Sequence, residues 1–171
     1  MKLTVIVDNN TYIDQYHLGE PAVCYLIEDQ GSSFLFDVGY SGIFLENLAS
    51  LGVNIEHLDT IVLSHGHNDH TGGLRFLLDE SPPDRWKIIT HPDTFSPKQY
   101  GSEHIGAPWP LEEMRLRATL MLSTEPVRVS PNILFLGEIP RRYSFEGNEP
   151  LGSTAHKVVT TPDMLHEDSA L

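Results

Sequence analysis

Residues 61–74 read Ile-Val-Leu-Ser-His-Gly-His-Asn-Asp-His-Thr-Gly-Gly-Leu, and no other stretch restricts the chain as strongly. A short apolar run ends at Leu63, and an apolar, helix-compatible stretch starts at Leu74. Between them, three histidines and an aspartate fall within six positions, in a chain that has nine histidines in all. Imidazole nitrogens and carboxylate oxygens are the donors that zinc and other first-row metals take. His65 and His67 are two apart, so extended backbone points both to the same side. Asp69 and His70 then fall near the start of the next helix, and one segment offers two pairs of ligands. Gly66, Gly72 and Gly73 let backbone approach closely there. The spacing predicts a metal-binding loop between a buried strand and a helix.

The rest of the chain predicts an α/β domain around that loop. At 171 residues it is one domain, 1–171. Residues 3–7 and 22–27 read as strands, and 28–32 as a turn into an apolar run at 34–36, which together make a hairpin. Ile43, Phe44, Leu45, Leu48 and Leu51 recur at helical spacing, with Gly52 as the stop. Residues 54–58 read as a short helical turn and 60–64 as a strand buried on both faces. A second helix carries Leu74, Phe76, Leu77 and Leu78 and ends at Ser81-Pro82-Pro83. Strands are expected at 86–90, 120–123, 127–129 and 133–136, a helix at 111–118, and a weak strand at 158–161. Residues 97–110 look irregular, either as a lid or as a loop packed on the core.

Three further positions are candidates for the site. Asp37 ends a strand and precedes Gly39, where a carboxylate can accept a hydrogen bond from a ligand imidazole and fix its ring. His91 follows a strand directly and is a candidate to face substrate. Arg141, beside Arg142, could bind an anionic group.

Composition removes several classes. A formal charge of −13, from eleven basic and twenty-four acidic residues, argues against nucleic acid as a partner. The single cysteine, Cys24, excludes an internal disulfide and a Cys-rich zinc site, and its apolar neighbours make it a core residue rather than a nucleophile. No apolar stretch is long enough to cross a bilayer, and the N-terminus lacks the features of a secretory signal, so the expected location is cytoplasmic, with no membrane partner.

His65-x-His67-x-Asp69-His70 resembles the H-x-H-x-D-H signature of the metallo-β-lactamase fold superfamily. Leu35-Phe36-Asp37-Val38-Gly39, residues 48–53, 64–74 and 135–141 are similar to its dihydropterin–ribofuranosylaminobenzene-phosphate synthase-like branch. The resemblance implies an αββα sandwich and a two-metal site, with zinc as the metal and iron or manganese as alternatives. It assigns His65 and His67 to one metal and Asp69 and His70 to the other. It gives Asp37 the place of the aspartate that supports the loop, and Asp69 a possible part in catalysis. The implied activity is that of a metal-dependent hydrolase, or a related transferase, acting on a phosphorylated or ester-bearing small molecule through a metal-bound hydroxide.

The superfamily draws further ligands from its C-terminal half, and in this branch from a Gly-Cys-Ser-His-like peptide that these residues lack. His156 and His166 follow no strong strand. The expectation is therefore an incomplete sandwich, the N-terminal half or more. The alternative function is an inactive fragment, or one chain of a split protein, that binds metal weakly. Its partner would be a second copy or a complementing C-terminal chain.

Overall fold

The computed structural model describes residues 1–143, 146, 149–156 and 159–171. The chain opens with β1 (Lys2–Val7), β2 (Cys24–Asp29) and β3 (Ser32–Phe36), an antiparallel meander. Gln30 and Gly31 close its second hairpin with φ of 49° and 87°. Positive φ at both loop residues gives a turn whose twist suits the flanking strands, and Gly31 takes it at no steric cost.

Helix α1 (Ile43–Ser50) crosses over to β4 (Thr60–Val62), and α2 (Asn68–Thr71) and α3 (Leu74–Leu78) lead on to β5 (Lys87–Thr90). Next come a hairpin of β6 (Lys98–Tyr100) and β7 (Glu103–His104), the single turn α4 (Leu111–Met114), and β8 (Thr119–Leu122). A second hairpin, β9 (Val127–Ser130) with β10 (Ile133–Phe135), precedes β11 (Ser153–His156) and β12 (Val159–Pro162). The main sheet runs β1-β2-β3-β4-β5-β8, and its last four strands are parallel. Of the weak strand expected at 158–161, Val158 lies outside the described residues.

Strand alternation divides the apolar residues between two cores. Leu26, Leu35, Ile61 and Ile88 face Phe44 and Leu48 of α1 and Leu74, Leu77 and Leu78 from α3. Their neighbours Ile27, Phe34, Val62 and Ile89 point the other way, against Val127, Val129, Ile133 and Phe135 of the β9–β10 pair. Successive side chains of a strand go to opposite faces, so a central strand buried on both sides must be apolar throughout. The result is the helix–sheet–sheet order of a metallo-β-lactamase-like sandwich. Cys24 is fully buried in the first core, as its neighbours in sequence require.

Two expectations change. Residues 97–110 are not simply irregular: they supply β6 and β7, and β6 also pairs with β11. Lys98-Gln99-Tyr100 shows no apolar alternation because its partners, not its faces, define it as a strand. The helix expected over 111–118 is α-helical only over Leu111–Met114, with Arg117 and Ala118 both donating to the Met114 carbonyl. No helix among the described residues is long and apolar enough to cross a membrane.

Candidate metal centre

Parallel strands β3 and β4 end side by side, and the loops that leave them build the site. Asp37 follows β3 with φ of 56°, a left-handed conformation that aspartate tolerates better than most residues. The turn aims its carboxylate at the loop leaving β4. Its oxygens accept from the Ser64 backbone N–H at 2.8 Å, the Ser64 hydroxyl at 2.7 Å and His70 Nδ1 at 2.8 Å. Asp37 is buried, so these three bonds replace the water it has lost.

The loop itself is clamped from behind. A Cβ on Gly66 would lie 2.1 Å from the Thr94 carbonyl oxygen, so only glycine lets the chain pass there. His67 bridges Gly106, and the Asn68 N–H donates to the Ile105 carbonyl at 2.8 Å. The segment expected as a lid or core-packed loop thus braces the metal loop, while Trp109 packs on the first core beneath the Arg117 guanidinium.

His65, His67 and His70 converge. The ring centroids lie 4.1 Å apart for His65 and His70, and 5.0 Å apart for His65 and His67. Donor atoms of His65, Asp69 and His70 all lie within 4.8 Å of one another. His67 is not in that group: its Nε2 is 3.0 Å from Asp163 Oδ2, on the segment after β12. The grouped donors thus take one residue from the His65–His67 pair and both from the Asp69–His70 pair that the resemblance implies, and His67 stands beside them with its ring 5.0 Å from that of His65.

Electrostatics distinguish the rings. Burial, with His70 and His67 nearby, pushes the His65 pKa down to about 3, leaving a neutral imidazole able to give a lone pair. Its Nδ1 is 3.0 Å from the Ser64 hydroxyl, which also bonds Asp37. Burial acts against charge on His70 too, but hydrogen bonds to Asp37 and Asp69 prevail and hold its pKa at about 10. Burial likewise works to raise Asp69, and contact with His70 outweighs it, keeping the carboxyl below its usual range. His70 is thus an imidazolium, with Nδ1 on Asp37 and Nε2 3.4 Å from Asp69 Oδ2.

That last spacing is also the fit test for a metal. Two ligands at about 2.1 Å from a tetrahedral ion sit roughly 3.4 Å from each other. His70 Nε2 and Asp69 Oδ2 already stand at that separation, with a proton where the ion would go. The residues present therefore suit a zinc-like ion held by His65, Asp69 and His70.

The pH dependence of the metal-free protein follows from the two histidines. His70 has a folded pKa of about 10, above the ordinary value near 6.5, so its contribution is complete below about pH 6.5 and is lost as pH rises toward 10. His65 has a folded pKa of about 3, so its contribution is present above about pH 6.5 and is lost as pH falls toward 3. Melting temperature in chelator should peak between these limbs, and His70→Asn should flatten the alkaline one. An unchanged alkaline limb in that variant would contradict the assignment.

The other two expected positions are not among the gathered donors, although Asp168, 3.6 Å from His65 Nδ1, lines one cavity with Arg141. His91 is buried and caps the turn at 92–95: its Nδ1 accepts from the Asp93 N–H at 3.1 Å, and its Nε2 lies 3.9 Å from Glu138 Oε2. Arg141 is exposed and donates to the Met164 and Leu165 carbonyls, beside a cavity of about 390 Å³ that Asp168 also lines. Sequence reasoning missed Ser64, Lys98, Asp163, Glu167 and Asp168. Lys98 Nζ lies 3.4 Å from both oxygens of Asp163 and 2.5 Å from Glu167 Oε1, and all three residues are buried. The one available sign was that Asp163, like Asp37, directly follows a strand.

The profile of the metallo-beta-lactamase superfamily matches residues 18–160, and the chain belongs to that superfamily. It is 34% identical over 148 residues to the uncharacterised protein MJ0448 of Methanocaldococcus jannaschii, covering 86% of this chain and 57% of that one. It is 30% identical over 141 residues to the 7,8-dihydropterin-6-methyl-4-(β-D-ribofuranosyl)-aminobenzene-5′-phosphate synthase of the same organism, covering 75% of this chain and 48% of the synthase. The resemblance to that branch is thereby supported. Among solved structures, Tm1679, described as a metal-dependent hydrolase of the β-lactamase superfamily, superposes with a TM-score of 0.77 at 23% identity, over 98% of this chain and 59% of that one. The chain spans about half the length of these relatives.

Proposed function

We propose that residues 1–171 carry the metal-binding part of a hydrolase, or of a related transferase, that acts on a phosphorylated or ester-bearing small molecule in the cytoplasm. The observation that carries this reading is the convergence of His65, Asp69 and His70 within 4.8 Å, with Asp37 fixing His70 from behind. Bound there, zinc would supply a hydroxide near neutral pH and positive charge against the negative charge that develops on substrate. The chain's own groups do the rest. Asp37 and Ser64 hold the imidazoles in place, and Asp69, a third exposed, can reach solvent and take up a proton. Zinc titration by calorimetry in buffers of different ionisation enthalpy tests this. Binding should release about one proton at pH 7.5, that of His70 Nε2, and should vanish in His65→Ala/His70→Ala. Binding unchanged in that variant would overturn the site.

A second reading rests on the donor count. Among the described residues only one group of three donors is gathered. A catalytic zinc takes three protein ligands, and a two-metal site needs more. In this reading the chain binds metal weakly and gains activity from a second copy or a complementing chain. Sedimentation and turnover of the 171-residue chain, with and without zinc, separate the readings: a monomer with turnover supports the first.

A further inference from the structure

His67, the one donor of the histidine motif outside the gathered group, is engaged by a residue that the motif does not contain. His67 is buried, and its Nε2 lies 3.0 Å from Asp163 Oδ2, ninety-six positions away in sequence. Asp163 is 1% exposed and is itself held on several sides. Lys98 Nζ stands 3.4 Å from each of its oxygens, and the Leu165 N–H donates to Oδ1 at 3.1 Å. The backbone of His67 is fixed independently, through its bridge to Gly106 and the Thr71 hydroxyl and N–H on its carbonyl. Ring and main chain are thus anchored by different elements.

We propose that Asp163 is a positioning residue for the metal centre: by accepting the Nε2 proton of His67 it fixes the ring and leaves Nδ1 as the nitrogen available to a metal. An ionised carboxylate accepts and cannot donate, so Nε2 must carry the proton in this contact. A neutral imidazole with Nε2–H has its lone pair on Nδ1, and partnership with a carboxylate raises the basicity of that nitrogen. Asp163 is not placed to be a ligand itself. Lys98 occupies the space beside both of its oxygens, and a cation added there would meet the ammonium group. Glu167 takes the other side of Lys98 and completes the pairing of that buried charge. Lys98 helps hold Asp163 in place, and β6 and the segment after β12 act on the metal loop through one contact.

The inference rests on the metal reading, and its experiment separates the two. Long-range nitrogen–proton correlation spectra of the metal-free protein at pH 8.5 report which imidazole nitrogen of His67 carries a proton, with His67→Gln assigning the signal. The expected result is a proton on Nε2 and a bare Nδ1. A proton on Nδ1, alone or in an imidazolium, overturns the proposal, whatever the chain's metal affinity. Cobalt titration then compares the wild type with Asp163→Asn. The variant should bind about 10- to 100-fold more weakly with an altered visible spectrum, and Asp163→Glu should recover part of the loss. A folded Asp163→Asn protein with wild-type affinity and spectrum overturns the role. Should Asp163→Asn not fold, the wild-type tautomer still decides. Wild-type cobalt binding tests the metal reading by itself.

Discussion

Asp69→Ala is expected to abolish the hydrolytic turnover proposed for this site while leaving the fold in place. Asp69 is the second residue of α2, its side chain is a third exposed, and it contributes nothing to either apolar core. Its carboxylate makes one side-chain contact, 3.4 Å to His70 Nε2. Removing it deletes one of the three gathered donors and the only carboxylate among them. The variant also loses the group best placed to take a proton from water. Loss of a general base alone costs on the order of 10²–10⁴-fold in rate, and loss of the ligand adds to it. Melting temperature should move little, because a solvent-facing carboxylate is replaced by the best helix former inside a helix. Full activity with unchanged metal content would refute the role, and collapse of the fold would show that Asp69 is structural.

Asp37→Ala is expected to give the largest loss of stability of any substitution at the site. It takes the acceptor from the buried Ser64 N–H and from the half-buried His70 Nδ1, each now 2.8 Å from Asp37, while the Ser64 hydroxyl still has His65 Nδ1 at 3.0 Å. Each buried donor left without a partner costs roughly 1–3 kcal/mol. Alanine at a φ of 56° adds about 1 kcal/mol of backbone strain. The sum is roughly 4 kcal/mol, readable as a shifted urea midpoint with an unchanged slope. Asp37→Asn should cost markedly less, since asparagine tolerates left-handed backbone and keeps one acceptor oxygen. Equal losses in both variants would mean that the hydrogen bonds carry little of the effect. Metal affinity should fall in both, because His70 no longer has a carboxylate behind it.

The central part of the fold was legible in the sequence because it obeys local rules. β4 is apolar on both faces and therefore sits mid-sheet, and Gln30-Gly31 sits at a two-residue turn. The clustering of His65, His67 and His70 followed from ligand types close together after a strand, and Asp37 from its place at the end of its own strand. What escaped was everything set by distant pairing. Lys98 carries no sign of burial in its neighbours Pro97 and Gln99, because its partners Asp163 and Glu167 lie more than sixty residues on. The same holds for the contact on His67: spacing put it beside His65, and nothing near it announced the carboxylate after β12 that meets its Nε2. His91 reads in sequence as a strand-end histidine, and its capping of the turn at 92–95 was not legible there. Periodicity records which face a residue occupies, and it holds no information about which remote charge that face will meet.

The ninety-six positions between His67 and Asp163 also set an order of events at the ribosome. At synthesis rates of roughly 5–20 residues per second, the histidine loop exists for several seconds before its carboxylate has been made. Asp37 and Ser64 are already present by then, so His70 and His65 can settle early while the ring of His67 has no carboxylate to hold it. At the proposed metal site, a nascent chain in that interval would offer a looser set of donors than the finished protein does. Which ion is captured first would then depend on what the cell supplies in those seconds, as well as on the affinity of the completed centre.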